Sequence, residues 1–463
     1  MSAAGRSLWA EQALLPTGWA AAVLLRWDEA GRLEQVLAGQ ATPAGVERAQ
    51  GPVLPGMPNL HSHAFQRALA GLTECRSHPD DSFWSWRTLM YRLAARITPE
   101  QLQAIATSLY IEMLEAGYTS VCEFHYLHHQ PQGQPYADPA EMSLALLQAA
   151  RQAGIGLTLL PVLYQSSDFG GRTPLQQQTR FLHGTQAMVR LLEQLHPLCT
   201  AQGARLGLAP HSLRAVPAQA LKDAVAALHA IDAQAPVHIH VAEQQAEVQA
   251  SLAWSGQRPV AWLLSHAPVD HRWCLVHATH MDAQEQCAAA ASGAVAGLCP
   301  STEANLGDGM FDLTQWLDGA GAWGVGSDSH IAVDPAEDLM LLEYTQRLRC
   351  LRRNVSASAE VPEVAEHLWR CAVSGGAQAA ARAVAGLAPG QSADFVVLDA
   401  RHPLMDGLSP RQMLASHVFA SSRRRAIAAV WCAGRCVAGA QGHAQARSAQ
   451  AAFVRARRAL LEE

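Results

Sequence analysis

The segment Leu54-Pro55-Gly56-Met57-Pro58-Asn59-Leu60-His61-Ser62-His63 is an apolar run that ends in two histidines separated by one residue. Alternate side chains of a β-strand lie on the same face, so the two imidazoles would point the same way, about 6–7 Å apart at their roots. Two nitrogens at that spacing can bind one metal ion with bonds of roughly 2.0–2.1 Å. The segment therefore predicts a strand whose C-terminal end carries metal ligands.

From Val53 onward, strand-like runs alternate with helix-length amphipathic stretches such as Pro99–Ala116, Pro139–Ala153, Pro217–Ala230 and Ala283–Ser292. This alternation indicates parallel strands, and eight of them over this length favour a closed (β/α)₈ TIM-like barrel over an open doubly wound sheet. No Gly-rich dinucleotide or phosphate-binding motif follows any of the strands. The predicted strands are the one ending at His61, then Thr119–Phe124, Gly156–Leu163, Arg205–Ala209, Pro236–Val241, Trp273–Val276, Ala294–Leu298 and Trp323–Gly326.

Both ends of the chain show short strands and turns instead of this alternation. Trp19–Trp27 and Leu33–Ala38 precede the alternating region, whereas Gly390–Asp399 and Ile427–Val437 follow it, before a helical tail at Ser448–Glu463. We expect the two ends to pair into one small β-domain that flanks the barrel. The predicted α/β organisation is residues 1–54 as the N-terminal part of the β-domain, 55–385 as the barrel, and 386–463 as the C-terminal part with the tail.

Composition restricts the class of protein. The chain has 463 residues, 49% hydrophobic and 16% charged, with a formal net charge of -6. This acidic balance argues against nucleic acid or an anionic membrane as a partner. The N-terminus lacks a basic region followed by a long apolar core, and the ten cysteines include no C-x-x-C pair. We therefore expect a cytoplasmic protein with reduced thiols and no membrane span.

Polar side chains gather at the C-terminal ends of six predicted strands, which is where the active site of such a barrel lies. A single histidine at one of these positions would usually be structural, but packing does not explain such residues on six strands. The sequence therefore predicts a metal-dependent active site. The residues are His61, His63, Glu123, His125, Tyr126, His211, Arg214, His238, His240, Glu243, His277, His280, Asp328 and His330.

This set resembles the amidohydrolase superfamily over nearly the whole chain. The motifs that carry the resemblance are His61-Ser62-His63, His240, His277, Gly326-Ser327-Asp328-Ser329-His330 and Ala388-Pro389-Gly390-Gln391-Ser392-Ala393-Asp394-Phe395. Superfamily members hold either one metal ion or two, and a carboxylated lysine is a common bridge between two. Here the only lysine is Lys222, which lies within a predicted helix. Members that use a carboxylate bridge stay possible, but His240-Val241-Ala242-Glu243 resembles the one-metal deaminase branch.

That branch implies one Zn²⁺ per chain, held by His61, His63, His240 and Asp328. It also implies that Asp328 accepts a proton from the attacking water and that Glu243 passes a proton to the leaving nitrogen. His277 would stabilise the oxygen of the tetrahedral intermediate. His238 shares a strand face with His240, and we interpret it as a core or supporting residue. His125, His128, His129, His280 and His330 are interpreted as structural.

Three further stretches, Pro58–Arg67, Gly297–Gly309 and Trp323–His330, resemble the formimidoylglutamate deiminases within this superfamily. The resemblance implies hydrolysis of N-formimino-L-glutamate to N-formyl-L-glutamate and ammonia in histidine degradation, by a homodimer. Such a substrate carries two carboxylates, which the planar fork of arginine binds bidentately. The substrate contacts that the resemblance implies are Gln66, Arg87, Tyr126, His211 and Arg214.

Two other functions stay open at this point. The first is a one-metal deaminase acting on a purine nucleoside or related heterocycle, for which Arg214 would matter little. The second is a non-catalytic barrel subunit, although such proteins commonly lose metal ligands and this sequence retains them all. Iron, manganese or nickel could also occupy a site of three histidines and one aspartate in place of zinc.

Overall fold

The computed structural model describes residues 6–75, 83–420 and 426–462, so Glu463 of the predicted tail lies outside the described residues. The strands are β1 (Ser7–Leu15), β2 (Gly18–Trp27), β3 (Leu33–Leu37), β4 (Glu47–Arg48), β5 (Val53–Pro55), β6 (Met57–Ser62), β7 (Tyr118–His125), β8 (Gly156–Leu163), β9 (Arg205–Leu206), β10 (Ala209–Pro210), β11 (Val237–Val241), β12 (Trp273–His277), β13 (Val295–Leu298), β14 (Trp323–Val325), β15 (Phe395–Leu398), β16 (Ile427–Cys432), β17 (Arg435–Gly439) and β18 (Gly442–His443). The helices are α1 (Phe83–Ala94), α2 (Pro99–Ala116), α3 (Glu141–Ala153), α4 (Thr185–Ala201), α5 (Ala218–Ile231), α6 (Gln245–Ser255), α7 (Pro259–His266), α8 (Ala283–Ser292), α9 (Pro300–Leu306), α10 (Leu313–Asp318), α11 (Pro335–Cys350), α12 (Val364–Ala380), α13 (Pro410–Phe419) and α14 (Ala446–Leu461). Two 3₁₀-helices span Ala64–Leu69 and Gln176–Phe181.

The first and last parts of the described chain meet in one mixed sheet. Its order is β18-β17-β16-β15-β5-β1-β2-β3, and β4 pairs with β1. Strand β15 connects the two ends, because it pairs antiparallel with β5 on one side and with β16 on the other. The rings of Trp27, Phe395 and Trp431 pack together with centroids 5.4–6.0 Å apart. Apolar side chains from both ends of the chain therefore share one core.

The middle of the chain forms parallel sheets separated by helices. Strands β6, β7 and β8 are hydrogen-bonded in sequence, with β9 and β10 both pairing to β8, while β11 to β14 form a second parallel set. Isolated parallel bridges join the two sets at both sides: Leu208 pairs with Val237, and Ser62 pairs with Asp328. The parallel strands therefore follow one another in chain order, and bridges link the two sets at both of their edges.

Most predicted elements of this region agree with the structure within two residues, but Arg205–Ala209 is not one strand. It divides into β9 and β10, because Gly207 lies against the backbone of the next strand. A Cβ atom at Gly207 would be 2.5 Å from the carbonyl oxygen of Pro236. Leu208 then turns to pair with Val237 instead of β8. The prediction of a continuous strand was wrong at this close contact between neighbouring strands.

Local sequence signals explain where the helices begin and end, and so where the following strands start. Thr98 forms a capping box with Gln101 at the start of α2, and Gly117 ends that helix with φ of 101°. Asp282 and Glu285 form the same motif at the start of α8, and Gly293 ends it with φ of 80°. Such caps satisfy backbone groups that would otherwise lack partners. Strands β7 and β13 begin one and two residues after these glycines.

A buried arginine attaches α1 to the loops that follow β7 and β8. Arg180 is 2% exposed and donates hydrogen bonds to the carbonyl oxygens of His129, Ala94 and Ile97. Burial lowers its pKa to about 10, so the guanidinium stays charged at neutral pH. These contacts place the C-terminal end of α1 and the ring of Phe181 beside the carboxyl ends of the parallel strands. None of the described helices has the length and apolar character needed to cross a membrane.

Candidate metal centre and active site

The four predicted metal ligands lie together in the structure, and all are buried. The Nε2 atom of His61 is 3.1 Å from that of His63 and 3.0 Å from that of His240. Oδ1 of Asp328 is 3.3 Å from the Nε2 atoms of both His61 and His63. Three imidazole nitrogens and one carboxylate oxygen from the ends of β6, β11 and β14 therefore lie close together around Nε2 of His61.

Backbone pairing between the segments that end β6 and follow β14 sets the position of Asp328. Its N–H donates to the carbonyl oxygen of His61 at 3.0 Å, and its own carbonyl oxygen accepts from the N–H of His63 at 3.2 Å. Asp328 adopts a left-handed φ of 44°, which a residue other than glycine adopts rarely and at a cost. The junction between β14 and β6 thus brings a residue late in the chain next to the His61-Ser62-His63 motif.

A buried carboxylate supports the His61-Ser62-His63 motif through hydrogen bonds. Glu123, at the end of β7, accepts hydrogen bonds from the Ser62 hydroxyl at 2.6 Å and from the N–H of Ala64 at 2.7 Å. The Tyr110 hydroxyl donates to the same carboxylate at 3.1 Å. Burial raises the pKa of Glu123 to about 7. This residue, which the strand-end pattern singled out, contacts the backbone that carries the ligands instead of contributing a ligand itself.

The donor set has the chemistry that a divalent transition metal requires. Nδ1 of His63 donates to the Phe124 carbonyl oxygen at 2.9 Å, and Nδ1 of His240 donates to that of His211 at 3.1 Å. This tautomer leaves the Nε2 lone pairs free to face one another. Burial lowers the pKa of His61 to about 3 and also lowers the pKa values of His63 and His240, so the rings are neutral. Converging lone pairs repel one another without a cation, so the set fits a bound metal ion.

Glu243 and His277 lie beside this centre. Nε2 of His277 is 3.8 Å from Oε1 of Glu243 and 3.8 Å from Oδ2 of Asp328. Burial raises the pKa of Glu243 to about 7. Burial opposes the charged form of His277, but the carboxylates of Glu243, Glu303 and Asp328 outweigh it and raise its pKa to about 10. The site therefore contains a carboxyl group that exchanges protons near neutral pH next to a protonated imidazole.

All five residues predicted to contact substrate line one cavity with Glu243, His277 and three of the ligands. The Gln66 amide donates to the Tyr126 hydroxyl at 2.9 Å. The Arg214 side chain lines the cavity, and nearby Glu247 and Glu243 raise its pKa although burial acts in the opposite direction. The Arg87 guanidinium lies 5.5 Å from the centre of the Tyr91 ring. The cavity is lined by His63, Gln66, Trp86, Arg87, Met90, Tyr91, Tyr126, Tyr164, Phe181, His211, Arg214, His240, Glu243, His277, Leu306 and Asp328.

Several residues of this site were missed by sequence reasoning. Tyr91 lies four residues after Arg87, and helical spacing from that arginine could have identified it. Glu247 follows Glu243 at the same spacing and accepts its N–H at 3.1 Å. Tyr164 and Phe181 come from loops whose sequences give no such signal. Glu303 lies in the Gly297–Gly309 motif but was given no role, although it contacts His277.

Several of the other histidines at these strand ends contact carbonyl or hydroxyl oxygens. Nε2 of His238 donates to the carbonyl oxygen of Ala379 at 2.8 Å. Nε2 of His280 contacts the carbonyl oxygen of Asp308 at 2.8 Å. His330 contacts the Ser327 and Ser62 hydroxyls at 3.0 and 3.2 Å. Lys222 is exposed on α5, far in the chain from any strand end.

Comparison with known proteins agrees with this geometry. Residues 53–437 match the model of the amidohydrolase family. The chain belongs to the amidohydrolase family. It is 50% identical to a formimidoylglutamate deiminase of Pseudomonas aeruginosa over 456 residues. This match covers 98% of this chain and 100% of that protein. It is 28% identical over 379 residues, or 80% of each chain, to an 8-oxoguanine deaminase of the same organism.

A solved structure gives the same result for the fold of this amidohydrolase. The crystal structure of an amidohydrolase from Brucella melitensis superposes with a TM-score of 0.93 at 45% sequence identity. The match covers 98% of this chain and 100% of that one. The flanking sheet, the parallel strands and the helices between them are therefore those of a known amidohydrolase, and the resemblance noted from the motifs is confirmed.

Proposed function

We propose that this amidohydrolase hydrolyses N-formimino-L-glutamate to N-formyl-L-glutamate and ammonia. The observation that carries the proposal is one cavity lined by three of the four predicted ligands, Glu243 and two arginine side chains, Arg87 and Arg214. The substrate matches both parts of it, because it has an amidine-type carbon to be attacked and two carboxylates to be bound. The 50% identity to a formimidoylglutamate deiminase over nearly the full length of both chains supports the same substrate.

The arginines would recognise the carboxylates. A guanidinium group binds a carboxylate through two parallel hydrogen bonds, and such charge-assisted bonds are about twice as strong as neutral ones. Arg214 would meet the carboxylate nearer the reacting carbon, a proposal supported by the influence of Glu243 on its pKa. Gln66 and Tyr126, already hydrogen-bonded to each other, would contact the polar groups of the substrate that lie between its two carboxylates. A neutral heterocycle has no carboxylate for either arginine, so a purine nucleoside fits this cavity less well.

His61, His63, His240 and Asp328 would hold one divalent ion, for which zinc is our proposal because three nitrogens and one carboxylate suit it. When bound, such an ion acts as a Lewis acid that makes water a nucleophile at neutral pH. The proposal of a single ion rests on the exposed position of Lys222, which leaves no lysine at a strand end to bridge two ions.

The protein's own groups would handle the protons. Asp328 is ionised, because the hydrogen bond with His61 and the charge of His277 lower its pKa although burial acts in the opposite direction, so it can accept a proton from water. Glu243, with a pKa near 7, can transfer a proton to the nitrogen that leaves as ammonia. The protonated Nε2 of His277 faces the same space and can donate a hydrogen bond to the oxygen that becomes negatively charged.

The finer points of architecture and biology are also proposals. We propose that the parallel strands form a closed (β/α)₈ barrel over residues 55–385, supported by the bridges at both sides of the ring. Residues 1–54 and 386–463 would then form the flanking β-domain and tail, supported by the pairing of β15 with β5. We propose a cytoplasmic homodimer that acts in histidine degradation. Ten cysteines without a disulfide are consistent with a reducing compartment.

Ammonia release tests the proposal directly. Zinc-loaded protein should release ammonia from N-formimino-L-glutamate and should lose this activity on chelation and regain it on zinc addition. A panel of neutral nucleosides and purine bases, measured in parallel, should release none. Ammonia from a heterocycle alone would contradict the substrate but keep the metal mechanism. No release from either would favour the non-catalytic alternative.

A further inference from the structure

One imidazole of the site is oriented by a residue that does not reach the cavity. His277 ends β12 with a left-handed φ of 65°, and Ala278 follows with φ of 51°. Its Nε2 atom faces Glu243 and Asp328, while its Nδ1 atom is 3.3 Å from Oε1 of Glu303. An imidazole can rotate about its side-chain bonds, so a partner at Nδ1 is needed to keep Nε2 directed into the cavity.

Glu303 is well placed to be that partner, because it is itself fixed. It lies on α9, is 4% exposed, and does not belong to the residues that line the cavity. Its Oε1 atom accepts the N–H of Cys299, the residue before the helix, at 2.8 Å. Its own N–H donates to the carbonyl oxygen of Cys299 at 2.8 Å. The first hydrogen bond restrains the carboxylate, and the second fixes the backbone that carries it.

We infer that Glu303 is a positioning residue, which accepts the Nδ1–H of His277 and thereby holds Nε2 toward Glu243 and the reacting oxygen. The role of His277 in this statement rests on the function proposed above. Glu303 need not contact substrate or metal, and its effect passes entirely through the imidazole. Its loss should therefore lower the rate of the chemical step without changing substrate binding.

The side chains around Glu303 could instead hold a second metal ion, and this alternative can be distinguished from the positioning role. A nitrogen of His277, the Cys299 thiol and a carboxylate oxygen of Glu303 lie within 4.8 Å of one another, close enough to hold a second metal ion. The geometry favours the positioning role, because Oε1 of Glu303 already accepts two N–H donors. A neutral buried thiol is also a poor ligand, and burial raises the pKa of Cys299 well above its usual value.

Two substitutions separate the hydrogen bond from the bulk of the side chain. Glu303→Ala removes the acceptor, and its kcat for N-formimino-L-glutamate should fall by about tenfold to hundredfold, the usual effect of removing a partner that orients a histidine beside a metal. Its KM should change less than about twofold on the same reasoning. Glu303→Gln keeps an oxygen acceptor at the same chain length, so it should recover most of the lost kcat. An unchanged kcat in Glu303→Ala would overturn the inference.

The Nδ1–H of His277 gives a readout that does not depend on turnover. In ¹⁵N-labelled zinc-loaded protein, long-range ¹H–¹⁵N spectra should show the His277 Nδ1 carrying a proton in a hydrogen bond, with the signals assigned by their loss in His277→Asn. In Glu303→Ala the Nδ1 resonance should shift, whereas in Glu303→Gln it should stay close to the wild-type position. If the wild-type protein fails to hydrolyse the substrate, the proposed function fails, yet this spectrum still decides whether Glu303 holds the ring.

A matched control excludes a general loss of stability. Glu285 is a similar buried carboxylate at the start of α8, where it accepts the N–H groups of Val260 and Ala261 at 2.9 and 3.0 Å. Glu285→Gln should lower Tm but leave kcat of the folded enzyme unchanged. Metal analysis completes the test: a metal content above one per chain that falls in Glu303→Ala would overturn the positioning role in favour of a second metal site.

Discussion

Two groups of buried or half-buried histidines lie near the carboxyl ends of the parallel strands, and they differ in how their nitrogens are used. In the metal cluster, His61, His63 and His240, the Nε2 atoms face one another 3.0–3.1 Å apart beside Asp328. In the packing cluster, defined as His125, His128, His129 and His183, the rings lie 4.4–5.1 Å apart by centroid along the chain of contacts. Burial lowers the pKa of histidines in both clusters.

The difference lies in convergence and in the neighbouring acid. Nε2 of His128 contacts the carbonyl oxygen of Val162 at 2.9 Å, and Nε2 of His129 contacts that of Leu182 at 2.6 Å. Among the described residues, neither ring nitrogen of His183 has a hydrogen-bond partner. Within that same described part of the chain, the groupings able to hold a metal include His61 with His63 and Asp328, and His61 with His240 and His277, but none from the packing cluster. A count of histidines therefore does not identify a metal centre, whereas converging lone pairs next to a carboxylate do.

The largest effect is expected from removing a ligand of the metal cluster. His240→Ala should lose the bound ion and lower kcat/KM by more than about a thousandfold, because the ion supplies several kcal/mol of transition-state stabilisation. Metal analysis and ammonia release measure the two effects. The matched control is His128→Ala in the packing cluster, which should keep its metal. Loss of metal from the control as well would contradict the separation of the two clusters.

A substitution in the packing cluster should instead change how the free energy of unfolding falls with decreasing pH. Burial lowers the pKa of His183 to about 4, below its unfolded value near 6.5, so folding favours the neutral ring. The stability that this ring provides is complete above pH 6.5 and is lost as the pH falls through about 4. For zinc-loaded His183→Gln, the loss in unfolding free energy over this range should be smaller than in wild type by roughly 3 kcal/mol. Denaturant unfolding between pH 4 and 7.5 measures it, and parallel curves would contradict the assignment.

The metal cluster opens onto a cavity with Arg214, and the next effect is expected there. Arg214→Ala should lower kcat/KM for N-formimino-L-glutamate by about tenfold to hundredfold, the value of a hydrogen bond to a charged group at 1.5–3 kcal/mol. The metal content should not change. Arg205→Ala, on the partly exposed strand β9, is a control that should keep wild-type kinetics. Equal activity in Arg214→Ala and wild type would indicate a substrate without a carboxylate at this place.

The smallest effect on activity is expected from a substitution of Glu247, which supports the backbone at Glu243. Glu247 accepts the N–H groups of Ala242 and Glu243 at 3.2 and 3.1 Å and so supports a backbone in which Ala242 has φ of 51°. Glu247→Gln keeps only one oxygen acceptor, and we expect about a tenfold fall in kcat because the Glu243 carboxyl group becomes less well placed. Steady-state kinetics measure it. A fall in metal content instead would show that Glu247 acts through His240.

Much of the fold was predictable because its signals are local. The period of two that pairs His61 with His63, the caps at Thr98 and Asp282, and the glycines that end α2 and α8 all act within a few residues. They are readable without knowing any distant contact. The strand predicted at Arg205–Ala209 was wrong for the opposite reason. Its division depends on the approach of Pro236, about 30 residues away in the chain, which no local pattern reports.

The same distinction holds within the site. The sequence alone determined which residue types stand at the strand ends, because the chemistry of His61, His240, Glu243 and Asp328 depends on residue type and on strand or loop position. Only the tertiary structure decided which nitrogens converge, because that depends on backbone pairing between segments more than 260 residues apart, such as Ser62 with Asp328. It also decided which carboxylate holds His277, since packing and burial are properties of the folded chain and not of any one segment.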